Sequence, residues 1–168
     1  MAGAERNEPL ADLYFEDHLP GSVYHVGSVL VTEEEIVAFA KRYDPQVFHT
    51  DPEAAKKTSF GGLVASGWHT VALAMRLIVE NRLNRVKNLG SPGVDEVRWL
   101  KPVRPGDILS VRATIVEARR SQSKPDRGIV KALVEVSNQR GEVTARWKGI
   151  NIVLCRNEGL QEQTTRDA

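Results

Sequence analysis

Residues 68–83 (WHTVALAMRLIVENRL), a segment without glycine or proline, constrain the fold more than any other part of the chain. The segment predicts a helix, and between residues 71 and 80 apolar side chains cover nearly its whole circumference. Only Arg76 and Glu80 interrupt them, four residues apart on one face, where we expect them to pair with each other. A helix that is apolar on almost all sides must be enclosed by other elements. We therefore expect it to be central.

Four segments after this helix read as β-strands, and turn-forming residues separate them. They are residues 94–100, 107–116, 129–137 and 142–154, and a valine-rich strand at residues 22–31 precedes the helix. Strands in a run that are joined by hairpin-length loops favour an antiparallel sheet. The sequence thus predicts an α+β fold in which an antiparallel sheet wraps around one long central helix.

The chain of 168 residues has the length of one domain and shows no internal repeat or low-complexity linker. We expect a single domain over residues 1–168, with its core at about 20–155 and flexible tails at 1–10 and 156–168. The 23 basic and 22 acidic side chains nearly balance. No long basic block stands out, so nucleic acid is not an expected partner.

Cys155 is the only cysteine, so an intramolecular disulfide is impossible and a reducing compartment is the simplest context. The first residues contain acidic side chains and no continuous apolar core, which is unlike a secretory signal. No apolar run approaches the length that crosses a bilayer. We expect a cytoplasmic protein that does not bind membranes.

The stretch RYDPQVFHTDPEAA, residues 42–55, places Asp44 and His49 five positions apart on a loop that Pro45 stiffens. It follows a helix that we predict over residues 33–43, which ends at Asp44 because the residue before a proline avoids the α conformation. A histidine and a carboxylate whose pKa is raised in an apolar pocket can together bind and polarise one water. Taken alone, the pair also fits a structural role, with Asp44 as a helix terminator and His49 as a packed loop residue.

Ser66 and Gly67 stand at the entrance to the long helix. Backbone N–H groups in a first helical turn have no intrahelical acceptor and lie at the positive end of the helix dipole. Because Gly67 has no side chain, a ligand carbonyl could approach its N–H closely, as an oxyanion hole requires. The structural alternative is that Ser66 is an N-cap and Gly67 only a flexible entry, and both readings can hold together.

Other chemistries find little support in the sequence. His18, His25 and His69 have no cysteine or carboxylate partners at metal-ligand spacing, so we expect no metal site. A GxGxxG motif and a P-loop are both missing, which argues against the common nucleotide-binding folds. We interpret Trp99 and Trp147, at strand positions, as packing residues.

Three motifs in this order, YDPQVFHTDPEAA, FGGLVASGWHT and EVRWLKPVRPGD, resemble those of the MaoC-like dehydratases, which have the hotdog fold and include (R)-specific enoyl-CoA hydratases. The resemblance covers roughly residues 20–155. It implies that Asp44 and His49 are the acid–base pair that holds water, and that the N–H of Gly67 binds the thioester carbonyl. It further implies that the substrate contacts a set of four residues: Gln46, Phe48, Gly62 and Ser66.

The same resemblance implies an acyl-CoA or acyl-carrier thioester as the substrate, with no cofactor apart from the CoA that the substrate itself carries. It implies a homodimer or a dimer of dimers. The chain departs from the family pattern in three places. Gln46 stands where the family usually has asparagine, Ser66 where it often has histidine, and Ala74 and Met75 where some hydratases have serine.

Two other functions remain open on this fold. In a thioesterase, Asp44 would activate water at the carbonyl carbon rather than at the β-carbon. In a non-catalytic subunit that binds acyl thioesters, Asp44 and His49 would only stabilise the conformation of the loop. The fold alone does not distinguish these from a hydratase.

Overall fold

A computed structural model describes residues 12–156. The helices in this range are α1 (Glu33–Tyr43), α2 (Val47–Thr50), α3 (Pro52–Ala55) and α4 (Gly67–Asn81). The strands are β1 (Val23–Leu30), β2 (Asn88–Trp99), β3 (Ile108–Arg120), β4 (Arg127–Ser137) and β5 (Val143–Leu154). Short 3-10 turns lie at Phe15–Asp17 and Leu83–Arg85. None of the helices in this part of the chain is long and apolar enough to cross a membrane.

The five strands form one sheet in the order β1-β3-β4-β5-β2, and every neighbouring pair is antiparallel. Helix α4 packs against β1, β3 and β5, and the main core lies between the helix and the sheet. Leu109, Val136 and Trp147 are fully buried there. The antiparallel sheet with one long central helix that the sequence predicts is confirmed.

Strand β2 is longer than the predicted strand at residues 94–100, because it begins at Asn88. The added part contains Pro92 and Gly93, which are unfavourable inside a sheet. They are tolerated because β2 is an edge strand whose one partner among the described strands is β5, and the pairing register shifts within this part. An edge strand can hold a proline since one side of it needs no ladder hydrogen bonds.

Helix α4 is not enclosed on all sides in the single chain, contrary to the prediction. Its buried face includes Leu73 and Leu77, whereas Trp68 is 56% exposed and Met75 is 38% exposed. The sheet covers only one face of the helix, so the apolar residues opposite remain at the surface. The expected pair between Arg76 and Glu80 is also wrong, since no ion pair or hydrogen bond joins these two described residues.

Residues 12–19 pack onto the sheet, although the predicted core begins near residue 20. The ring of Phe15 lies against Gly128 on β4, so closely that a Cβ atom there would be 2.3 Å from the ring. Leu13 forms a parallel bridge with Val86. The beginning of the described chain therefore covers a second, smaller apolar cluster.

The predicted flexible tails at residues 1–10 and 156–168 lie outside the described residues, with the exception of Arg156. The guanidinium of Arg156 donates to both carboxylate oxygens of Asp17, at 2.8 and 2.7 Å, and its backbone N–H donates to Glu16. Arg156 is thus held in place by residues near the start of the described chain.

Candidate active site

The loop after α1 brings Asp44 and His49 together. Helix α1 is capped at its start by Thr32, whose Oγ1 accepts the N–H of Glu35, and Asp44 ends it immediately before Pro45. The next residues form the single turn α2, which turns His49 back towards Asp44. His49 Nε2 lies 3.5 Å from Asp44 Oδ2.

His49 is held in one orientation. It is 6% exposed, and its Nδ1 lies 2.7 Å from the carbonyl oxygen of Val64. A carbonyl can only accept, so Nδ1 carries a proton, and in the neutral imidazole Nε2 then has a free lone pair. The ring of Phe48 contacts His49 edge-on and also packs against Phe60. Nε2 of His49 therefore faces the Asp44 carboxylate, and it carries a lone pair when the imidazole is neutral.

Asp44 is a carboxylate with two hydrogen-bond donors. Ser66 Oγ donates to Oδ2 at 2.7 Å, and Gln46 Nε2 donates to Oδ1 at 2.8 Å. The hydrogen bond from Ser66 is the main reason why the pKa of Asp44 is lowered, and burial opposes it. The expectation that the pKa of Asp44 is raised is wrong. The Asp44 side chain is 22% exposed, and the two donors stabilise its charged form.

Ser66 is the N-cap of α4, as one of the two readings of the sequence predicts. Its Oγ accepts the N–H of Trp68 at 3.2 Å while donating to Asp44. The bond between Ser66 and Asp44 is not evident from the sequence, since the two residues are 22 positions apart. It links the loop that carries Asp44 to the start of the central helix.

Gly67 is the first residue of α4, so its N–H has no acceptor within the helix. The indole of Trp99, at the end of β2, lies against the Cα of Gly67: a Cβ atom on Gly67 would lie 2.3 Å from Trp99 Nε1 and 2.4 Å from Cε2. Trp99 also meets the ring of Trp68 edge-on, with the ring centroids 5.2 Å apart. Trp99 is therefore part of the site. The sequence analysis interprets it only as a packing residue.

These residues surround an open cavity of about 510 Å³. Of the residues that the sequence proposes, Asp44, Gln46, Phe48, His49, Ser66 and Gly67 all line it. Gly62 does not line it, because it lies towards Arg104, whose guanidinium donates to the carbonyl of Phe60. A continuous part of the remaining lining runs from the end of β2 into the segment that follows it, with Trp99, Leu100, Lys101, Pro102 and Val103.

The site offers no obvious metal-binding set. Within residues 12–156, no group of three or more histidine, cysteine, aspartate or glutamate side chains is arranged to hold a metal ion. The polar groups nearest the start of α4 are the imidazole of His49, the carboxylate of Asp44 and the hydroxyl of Ser66, and the cavity is also lined by polar side chains that include Gln46 and Lys101. Such a set suits acid–base chemistry next to a polarised carbonyl.

The chain is similar to known proteins both in structure and in sequence. A solved structure from Rhodospirillum rubrum, described as a MaoC-like dehydratase, is 41% identical and has a TM-score of 0.77, covering 86% of this chain and 98% of that one. The uncharacterized protein YdeM of Bacillus subtilis is 34% identical over 121 residues, which are 71% of this chain and 84% of YdeM. The 3-hydroxyacyl-thioester dehydratase Z of Mycobacterium tuberculosis is 31% identical over 112 residues, which are 64% of this chain and 73% of that protein.

The family described as MaoC like domain matches residues 16–138, which is most of the chain and includes both halves of the site. A solved structure from Mycobacterium tuberculosis that is described as a double hotdog fold is 14% identical and has a TM-score of 0.76, covering 91% of this chain and 47% of that one, so the two share the fold. The chain therefore belongs to the MaoC-like dehydratase domain family and has its hotdog fold.

Proposed function

We propose that this protein is an acyl-thioester hydratase that adds water reversibly across the 2,3 double bond of an enoyl thioester. The observation that carries the proposal is the 3.5 Å separation of His49 Nε2 and Asp44 Oδ2 beside the start of α4. With the imidazole neutral, both atoms are acceptors, and they face the same cavity. One water that donates a hydrogen to each atom satisfies both.

The water bound in this way is oriented for attack. Its two hydrogens point to His49 and Asp44, so an oxygen lone pair is free to face the β-carbon of the substrate. Because hydrogen bonds hold the pKa of Asp44 low, the carboxylate stays anionic and orients the water. The imidazole takes the proton as the oxygen bonds to the β-carbon. Acid–base help of this kind contributes about 10²–10⁴ in rate.

Gly67 serves the other end of the substrate. Its N–H, at the positive end of α4, receives the thioester carbonyl and stabilises the negative charge that develops on that oxygen. One such contact is typically worth about 10²–10³ in rate. The imidazolium of His49 then returns its proton to the α-carbon, which completes the addition of one water. The same steps in reverse eliminate water from a 3-hydroxyacyl thioester.

The substrate class rests on the family and on its named relatives. The relative from Mycobacterium tuberculosis is named a 3-hydroxyacyl-thioester dehydratase, which supports an acyl thioester of CoA or of a carrier protein as the substrate here. The open cavity beside Gly67 leaves room for a thioester and the start of its pantetheine arm. No cofactor beyond the substrate's own CoA is needed for this reaction.

A homodimer is part of the proposal. The edge strand β2 and the exposed apolar side chains Trp68 and Met75 on α4 offer a second copy of the chain an unpaired strand edge and an apolar surface. A molar mass of about two chains in light scattering would support this assembly, and a monomer at high concentration would contradict it.

The test is to incubate the purified protein with a panel of trans-2-enoyl-CoA esters of different chain length. Loss of the conjugated enoyl-thioester absorbance and release of free thiol are followed in the same samples. Absorbance loss without thiol is the expected result. The Asp44→Asn variant, purified in the same way, controls for a contaminating hydratase.

The two other candidate functions would each leave a different result. Thiol release from saturated and unsaturated esters alike would make the protein a thioesterase and overturn the hydratase assignment. Tight binding of the esters without any turnover, unchanged in Asp44→Asn, would identify a non-catalytic binding subunit.

A further inference from the structure

The Ser66 hydroxyl makes two hydrogen bonds, one as a donor and one as an acceptor. A hydroxyl has one proton to donate, and Ser66 Oγ gives it to Asp44 Oδ2 at 2.7 Å. The same oxygen accepts the N–H of Trp68 at 3.2 Å. Since Ser66 is 1% exposed, solvent does not compete for either bond. The direction of the hydroxyl is therefore fixed, with its proton towards Asp44.

The bond from Ser66 selects which carboxylate oxygen faces His49. Oδ2 accepts from Ser66 and is also the atom that lies 3.5 Å from His49 Nε2, whereas Oδ1 is occupied by Gln46 Nε2. The two donors come from different segments, one from the start of α4 and one from the loop itself. Together they fix the plane of the carboxylate, which a single donor would leave free to rotate.

Ser66 is also joined through a rigid peptide bond to Gly67, whose N–H is the carbonyl-binding group of the proposed function. One residue thus connects the oxygen that orients water with the donor that receives the carbonyl. A change in this link would shift one half of the site against the other, and misplacement by about 1 Å can cost roughly a hundredfold in rate.

We propose that Ser66 is a positioning residue that holds the Asp44 carboxylate in a fixed geometry relative to the Gly67 N–H, in addition to capping α4. The expected effect on kcat rests on the proposed function. The hydrogen bond between Ser66 and Asp44 does not depend on that function. A residue that only caps a helix would contribute to stability and leave the protonation of Asp44 unchanged.

The experiment compares Ser66→Ala, Asp44→Asn, the double variant, and Thr32→Ala. Thr32→Ala is the matched control, since it removes the N-cap of α1 without touching Asp44. The protonation of Asp44 is followed by carboxyl carbon NMR, with the resonance assigned by its loss in Asp44→Asn. In Ser66→Ala we expect the pKa of Asp44 to rise, because the main hydrogen bond that lowers it is removed.

In the enoyl-thioester assay, kcat of Ser66→Ala should fall about tenfold to a hundredfold with little change in KM. The melting temperatures should show a strong coupling: Ser66→Ala should cost less in the Asp44→Asn background than alone. Thr32→Ala should lower the melting temperature and leave the Asp44 titration and kcat unchanged.

An Asp44 titration that is the same in Ser66→Ala as in the wild type would overturn the inference, even if the enzyme is active. A shifted titration with an unchanged kcat would also overturn it, because Ser66 would then act on charge without affecting the reaction. If the wild type turns over none of the esters, the proposed function fails separately, and the titration with the coupling of melting temperatures still decides whether Ser66 positions Asp44.

Discussion

Asp44 and Asp107 are two carboxylates that lie next to proline-containing turns, and both accept several hydrogen bonds. Asp107 is 4% exposed, and its oxygens accept the N–H of Arg104 at 2.9 Å and the amide of Gln139 at 3.1 Å, with Arg140 3.6 Å away. Every neighbour in this set is a donor. Asp107 therefore joins the turn before β3 to the hairpin between β4 and β5.

Asp44 has a similar number of partners but one of a different kind. Ser66 and Gln46 are donors, whereas the lone pair of His49 Nε2 faces the carboxylate as a second acceptor when the imidazole is neutral. Two acceptors in contact require a proton between them, from a water or from the imidazole itself. The number of hydrogen bonds therefore does not distinguish a reactive carboxylate from a structural one, whereas an opposed acceptor beside a cavity does.

The largest effect is expected from removing the negative charge of Asp44. Asp44→Asn should lower kcat by a factor of about 10² to 10⁴, because the amide cannot accept the water hydrogen as an anion does. Its melting temperature should fall only slightly, because the side chain keeps its size and loses only the stabilisation that its hydrogen bonds give to the charged form. Activity on enoyl thioesters and thermal unfolding are measured on the same samples.

In Asp107→Asn, which is the matched change at the structural carboxylate, kcat should stay within a few-fold of the wild type. If the two variants lost activity equally, the distinction between a reactive and a structural carboxylate would be wrong.

A second prediction tests the carbonyl-binding end of the site. Gly67→Ala should reduce kcat by about 10² or more, but its Cβ would collide with Trp99, so the single variant mixes two causes. Adding Trp99→Ala should remove the collision. If the collision is the main cause, the double variant should recover most of the activity, and if the methyl group itself blocks the carbonyl, it should not.

Trp99→Ala alone is the control in this series. It leaves Gly67 unchanged and reports what the indole contributes to substrate binding through KM. A Gly67→Ala variant with normal kcat and normal stability would contradict both explanations.

The sequence predicts the boundaries of α1 and the pairing of Asp44 with His49 from local turn and capping chemistry, and the antiparallel sheet from the run of strands joined by short loops. It groups Ser66 and Gly67 with that pair only through the resemblance to the family. It does not predict the contact between Trp99 and Gly67, since that contact depends on how the end of β2 crosses the start of α4. The sequence does not predict the lowered pKa of Asp44 either, for a similar reason. The donor that causes it, Ser66, lies far along the chain and only the fold brings it near.

A third prediction concerns the stability that the structural carboxylate provides. Asp107→Ala removes the acceptor of the Arg104 N–H and of the Gln139 amide, and each of these partly buried hydrogen bonds contributes about 0.5–1.5 kcal/mol. For a chain of this size the melting temperature should fall by about 2–4 °C per kcal/mol. An unchanged melting temperature would show that Asp107 does not join the two turns.

The smallest effect separates His69 from Asp44 by the pH at which each affects stability. His69 is 4% exposed, stacks on Phe39 with the ring centroids 4.8 Å apart, and its Nδ1 has no hydrogen-bond partner among the described residues. Burial lowers the pKa of His69 below its ordinary value of 6.5. The unfolded chain therefore takes up a proton first as the pH falls below 6.5, so stability is complete above that pH and is lost below it.

The pKa of Asp44 is lowered as well, but from an ordinary value of 3.8, so its contribution to stability is present above pH 3.8 and is lost only in stronger acid. Melting temperatures between pH 7 and pH 4.5 should thus decline in the wild type by a few degrees. The decline should be smaller in His69→Phe, which keeps the ring stack on Phe39 and cannot be protonated. It should be unchanged in Asp44→Asn, because the window of the carboxylate lies at lower pH. If Asp44→Asn flattened the decline as much as His69→Phe, the carboxylate would titrate near neutral pH, and the assignment of Asp44 as a permanent anion that orients water would be wrong.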